Sequence, residues 1–228
     1  MKFVPTKKAD HYFFFIFASY YLIASVLGFG YSSSRIISNG GEIPVRAIIH
    51  GALAGCWYFL FFAQVLLIIL NKKNLHIKIG KVLIPLIIAV FISGIYVVLL
   101  RGPIPFEKVP FEAMGNEIGL FFIGVVYAVL GYIYRNNPHY HKRYLLYTII
   151  ILSGAGIVRF YSFLDITINH LVVIYAIPLL LIFVYDVIIY RKLFKATWIA
   201  FLIFLFHLFL LSQFFGMIAD YLRPIMRG

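Results

Sequence analysis

Residues 47–70 read AIIHGALAGCWYFLFFAQVLLIIL, 24 consecutive positions without an acid, a lysine or an arginine. At about 1.5 Å per residue, one helix of that length spans the ~30 Å hydrocarbon core of a bilayer. The same reading extends outward to apolar segments at 12–30, 80–100, 116–134, 144–164, 168–190 and 196–217. Composition agrees, with 63% hydrophobic, 19% aromatic and only 12% charged residues. We therefore expect an all-α, polytopic membrane bundle of seven transmembrane helices, forming a single domain over residues 1–228. The first segment follows Lys2, Lys7 and Lys8 as a signal peptide would. It is long, however, and YSSSRIISNGG after it offers no small-x-small cleavage site, so a retained helix is expected.

The formal charge of +12 does not point to nucleic acid, because the cations stand at the ends of the apolar segments. Seven crossings put thirteen Lys and Arg on one side: three at the N-terminus, then Lys72, Lys73, Lys78 and Lys81, three in 135–143, and three in 191–195. The other side receives seven cations and six of the eight acids. The basic side is expected to be cytoplasmic, with the N-terminus inside and the C-terminus outside. Outer connections such as NGGEIPVR and RGPIPFEKVPFEAMGNE are rich in Gly, Pro and acids, which is material for a lid; the inner ones are short and basic. The single cysteine, Cys56, lies inside an apolar run and reads as packing.

Polar residues inside the apolar runs carry the functional question. His50, Trp57 and Gln64 are spaced seven and seven, which keeps them within about 40° of one helix face. Gly51 and Gly55 form a GxxxG beside them, a pattern expected to admit a packed second helix. The stripe reads either as interhelical hydrogen bonding or as the wall of an outward-facing polar site. Arg159 follows His141 by 18 residues, five helical turns, with Thr148, Leu152 and Ala155 near the same line. A guanidinium in the outer part of a helix calls for a partner, Glu117 first and Asp165 second, or else for lipid phosphate.

The histidines sort by depth. His11, His76, His139 and His141 fall at the inner edge, His50 and His170 at the outer edge, and His207 inside the last helix. Imidazole binds protons, haem iron and transition metals, so two clusters are candidates: an outer one from His50, His170 and His207, and an inner one from His76 and His141. The alternatives are interfacial histidine and, for His207, a buried neutral ring with a hydrogen-bond partner. Asp186, Pro178, Ser212 and Gln213 are further polar or kinking features. No HExxH, HxxxH, P-loop, GxSxG or metal-spaced cysteine pair occurs, which argues against a hydrolase.

The order His50-Gly51, Trp57, Gln64, then Leu75-His76-x-x-x-Gly80, then His141-Lys142-Arg143 and Arg159 resembles a group of uncharacterised bacterial multipass membrane proteins. Their pattern is a His-Gly helix ending near Gln, a Leu-His-Arg-x-x-Gly turn and a His-Arg/Lys-Arg helix ending in Arg. The resemblance covers about residues 46–160 and departs at Ile77, where that group has Arg or Lys. It implies a bacterial inner (plasma) membrane and a histidine-bearing bundle. Some members are distantly similar to membrane b-type cytochromes, which implies a haem.

Three functions compete. The first is a cofactor- or ligand-binding bundle, redox-related, holding a b-type haem or a transition metal. Bis-histidine haem ligation needs facing imidazoles about 4 Å apart across iron. The second is a small-solute or proton-coupled transporter using Arg159, Glu117, His50 and Gln64, which the odd helix count without an inverted repeat disfavours. The third is a non-catalytic assembly factor whose GxxxG and aromatic surfaces bind a membrane-protein partner or a second copy.

Overall fold

The computed structural model describes residues 7–100, 111–169 and 171–222, which form helices and no strand. The ten α-helices among them are α1 Lys7–Ser38, α2 Val45–Ile69, α3 Lys73–Gly80, α4 Leu83–Leu99, α5 Phe111–Ile133, α6 Pro138–Leu152, α7 Gly154–Phe163, α8 Ile177–Tyr190, α9 Lys195–Phe206 and α10 Ser212–Leu222. Short π-helical stretches, Leu171–Ala176 and His207–Leu211, lead into α8 and α10. Six helical segments are long and apolar enough to cross a bilayer, and α6 with α7 makes a seventh if that pair is one span. The protein is an all-α, multipass membrane bundle.

Local chemistry sets several boundaries. Asn71, with φ 57°, ends the α2 turn in the left-handed region that asparagine tolerates. The chain then folds α3 back against the C-terminal part of α2. Asn137 caps α6 by accepting from His139 N at 3.2 Å, and Pro138 supplies the preset first turn. α5 is the central post, packed against α4, α6 and α10, while α1 lies against α2 and α7. Glycines allow the close approaches: Gly124 and Gly131 of α5 receive Leu152 and Leu145 of α6. Tyr127 and Tyr147 donate to the Ala200 and Thr197 carbonyls at 2.6 and 3.1 Å, tying α5 and α6 to α9.

Two expectations need correction. The run 144–164 is not one straight helix, because α6 and α7 meet at Ser153 with a 55° bend, so His141 and Arg159 do not share a continuous stripe. Gly51 and Gly55 do not admit a neighbouring helix among the described residues, since a Cβ at either would meet nothing there within 4 Å. The α2 face that packs inward is instead the one carrying Trp57, Tyr58, Phe61 and Gln64.

Candidate functional site

The first turns of α6 carry His139, His141, Lys142 and Arg143, and a 100° step per residue sends these side chains to different neighbours. Arg143 and His139 share a face toward α8 and α9. Arg143 is fully buried, as is Asp186 of α8. Arg143 Nε donates to Asp186 Oδ1 at 3.0 Å, Nη2 donates to the same oxygen, and Nη1 donates to His139 O at 2.8 Å. Asp186 Oδ2 also accepts from Thr197 Oγ1 at 2.6 Å and from Phe194 N at 3.4 Å. Phe194 at the N-cap of α9 has no capping side chain, so the Asp186 carboxylate meets the positive end of that helix instead. The guanidinium lies 3.9 Å over the Phe194 ring, with His139 stacked on Phe194 at 4.9 Å.

Lys142 turns toward α1. Its Nζ is 2.9 Å from Asp10 Oδ2 and donates to Tyr190 Oη at 2.9 Å. Asp10 also accepts from the hydroxyls of Tyr185 and Tyr190. This network binds α1, α6, α8 and α9 at the end of the bundle that carries most of the lysines. Sequence reasoning noted Asp186 but missed the network. A signal was present: Asp10 and Asp186 are the two acids left on the basic side after the other six are assigned outside.

His141 points the other way, toward α5 and α3. Its Nδ1 donates to Gly131 O at 2.7 Å, and the ring lies 6.2 Å from that of His76, at 85°. His76 Nδ1 is 3.2 Å from the backbone oxygen of Gln64. The Gln64 amide, oriented by its neighbours, donates to His76 O at 3.0 Å and accepts from Gly80 N at 3.3 Å. Its nitrogen is also 2.6 Å from His76 Nδ1, so His76 has an acceptor for one tautomer and a donor for the other. His141, with Nδ1 protonated and held by Gly131 O, presents a lone pair at Nε2; His76 does so in the tautomer that donates Nδ1–H to Gln64 O, which requires the Gln64 amide to turn its oxygen toward that Nδ1. A carbonyl that holds Nδ1–H in this way fixes the ring and its tautomer, leaving Nε2 free to meet a metal.

The proposed outer set is divided by the structure. Gln64 lies 14 residues from His50, about 21 Å along the helix, and therefore joins His76 rather than the outer end. His50 Nδ1 pairs with Ser93 Oγ of α4 at 3.0 Å, and its ring packs edge-on against Phe121 at 5.8 Å. Ser93 borders a cleft of about 710 Å³ whose lining includes Glu42, Arg46 and Tyr96. Trp57 is buried beside Phe61. His207 is fully buried at the start of the second π-helical stretch, with Nε2 3.1 Å from Asn116 Oδ1 and its ring against Gly119. Arg159 donates to Ala155 O at 2.9 Å and lies 4.8 Å over the Phe29 ring of α1, the helix that α7 packs on. Glu117 is half-buried on α5. His170, Glu107, Arg101, Lys108, Arg223 and Arg227 lie outside the described residues.

Among the described residues, no group of three or more His, Cys, Asp or Glu is placed to hold a metal ion. No protein-family model, curated protein or solved structure matches this chain.

Proposed function

We propose that this multipass membrane protein is a histidine-based ligand-binding bundle whose site is the His76–His141 pair, and that the ligand is a transition-metal ion held through the two Nε2 atoms. The observation that carries the reading is the pair of backbone-anchored Nδ1 atoms at 3.2 and 2.7 Å on rings 6.2 Å apart. Two imidazoles leave further coordination positions to water or to a second group, as in sites where metal does chemistry or is passed on. Gln64 acts as the positioning residue. The bacterial inner membrane, and a cytoplasmic placement of this pair, belong to the same proposal through the charge separation of the loops.

The test is metal analysis with an absorbance spectrum on the purified chain, followed by titration with Zn(II), Ni(II) or Cu(II). Binding that is lost in both His76→Ala and His141→Ala but kept in His50→Ala supports the inner pair. A Soret band lost in His50→Ala or His207→Ala would move the site to the outer end and make it a haem site. Absence of any bound or bindable metal and of any Soret band defeats the reading.

A second reading has its own observation. The outer cleft beside His50 and Ser93, with Glu42 and Arg46 in its wall, is the kind of solvent-facing polar opening a small-solute transporter uses. Solute uptake into vesicles that is abolished by Ser93→Leu would favour it.

A further inference from the structure

We propose that the turn from α2 into α3 binds an anionic phospholipid, its phosphate headgroup held by Lys72 and Lys73 with the carboxamides of Asn71 and Asn74, and its glycerol and acyl end lying against Leu75.

The turn itself makes the pocket. α2 ends at Ile69, Asn71 takes a φ of 57°, and the chain reverses into α3 at Lys73. Asn71, Lys72, Lys73, Asn74 and Leu75 line a pocket of about 330 Å³, room for a headgroup rather than a bare ion. Its polar side chains are two ammonium groups and two carboxamides, and no acid is among the described residues that line it. Ammonium donates only, and each carboxamide adds N–H donors. The helix Val45–Ile69 is long and apolar enough to cross a bilayer, so the pocket, two residues beyond it, stands where the chain leaves hydrocarbon and meets headgroups.

The missing counter-charge gives the ligand its sign. Residues 43–106 contain no acid. Lys72, Lys73, Lys78 and Lys81 are all exposed, and among the described residues none of them makes an ion pair or a side-chain hydrogen bond. Lys142, by contrast, has Asp10 at 2.9 Å. Four lysines in ten residues beside a membrane span form the kind of basic cluster that draws anionic lipid.

The apolar surroundings select lipid over a soluble anion. Leu70, Leu75 and Ile77 are 53%, 41% and 50% exposed beside the lysines. Free phosphate would leave these side chains uncovered, whereas one phospholipid meets the ammonium groups with its phosphodiester and the leucines with its glycerol and acyl carbons. Lysine suits the boundary, because its methylene stem lies along apolar surface while the ammonium reaches the phosphate. The inference stands whether or not the His76–His141 pair holds a metal.

The experiment titrates the detergent-purified full-length chain with dioleoyl phosphatidylglycerol or dioleoyl phosphatidylcholine and reads bound lipid by native mass spectrometry. Phosphatidylglycerol should bind about tenfold or more tighter. Lys72→Gln with Lys73→Gln should weaken it by about 25-fold, about fivefold for each lysine removed. Arg191→Gln with Lys192→Gln takes the same charge from another exposed basic turn and should leave that affinity unchanged. Equal binding of the two lipids overturns the proposal, as does an equal loss in the two double variants. Displacement of the lipid by millimolar inorganic phosphate would assign the pocket to a soluble anion and overturn it too. If the lysine variants fail to fold, a photoactivatable phosphatidylglycerol on the unaltered chain decides: crosslinks within residues 70–78 support the site, and crosslinks confined to other segments overturn it.

Discussion

Arg143 and Asp186, 43 residues apart in the chain, form an ion pair in which neither side chain is exposed, and every oxygen of the carboxylate is engaged. Charges removed from water to this extent destabilise strongly when one partner is lost, because the other stays buried and uncompensated.

Asp186→Asn should therefore lower stability by about 3–5 kcal/mol, and Arg143→Met by a similar amount. Arg143→Met combined with Asp186→Leu should recover much of the loss, apart from the contacts of Asp186 with Phe194 N and Thr197. Unfolding of the detergent-purified variants checks this. A double variant as unstable as the sum of the single ones would show that the pair is not an energetic unit.

Gln64 should matter to metal binding without touching the metal. Gln64→Leu removes the amide that anchors His76 and Gly80, and loss of an outer-shell partner weakens metal affinity by about 10–100-fold. Gln213→Leu, an exposed position on α10, should leave affinity unchanged. Isothermal titration with Ni(II) or Zn(II) reads both, and equal affinities in the two variants would remove Gln64 from the site.

The charge separation predicts opposite sidedness for positions 75 and 168. In a Cys56→Ala background, Leu75→Cys should be labelled by a membrane-impermeant maleimide only from the cytoplasmic side, and Ile168→Cys only from outside. Labelling of both from one side would overturn the seven-span orientation.

Arg159 and Glu117 remain a proposed pair in the outer half of the bundle. If they interact, Arg159→Leu should destabilise more than Arg159→Leu with Glu117→Gln, by about 1 kcal/mol at a half-buried position. Additive effects in the double-mutant cycle would argue against contact between Arg159 and Glu117.

Most of the spans were legible in the sequence because hydropathy is local: a run such as 47–70 needs nothing beyond itself to prefer hydrocarbon. The bend at Ser153 was not legible. Residues 144–164 read as one apolar run, and the break depends on Ser153 Oγ bonding back to Ile149 O and on α7 packing onto α1 through Gly28 and Gly156. The candidate site divides in the same way. The sequence put His76 and His141 at the inner edge, since the loop charges register depth there. It placed Gln64 with His50, because a helical wheel records angle and ignores height along the axis.

By itself, then, the sequence determined the all-α membrane class and most of the helical spans, properties of short segments in an apolar solvent. The tertiary structure alone decided partnership. Asp186 serves Arg143 and α9, Gln64 serves His76, and no described residue packs against the GxxxG of α2. Such contacts join residues 8 to 43 positions apart, so they depend on which helices pack together and at what height, information that no single segment carries.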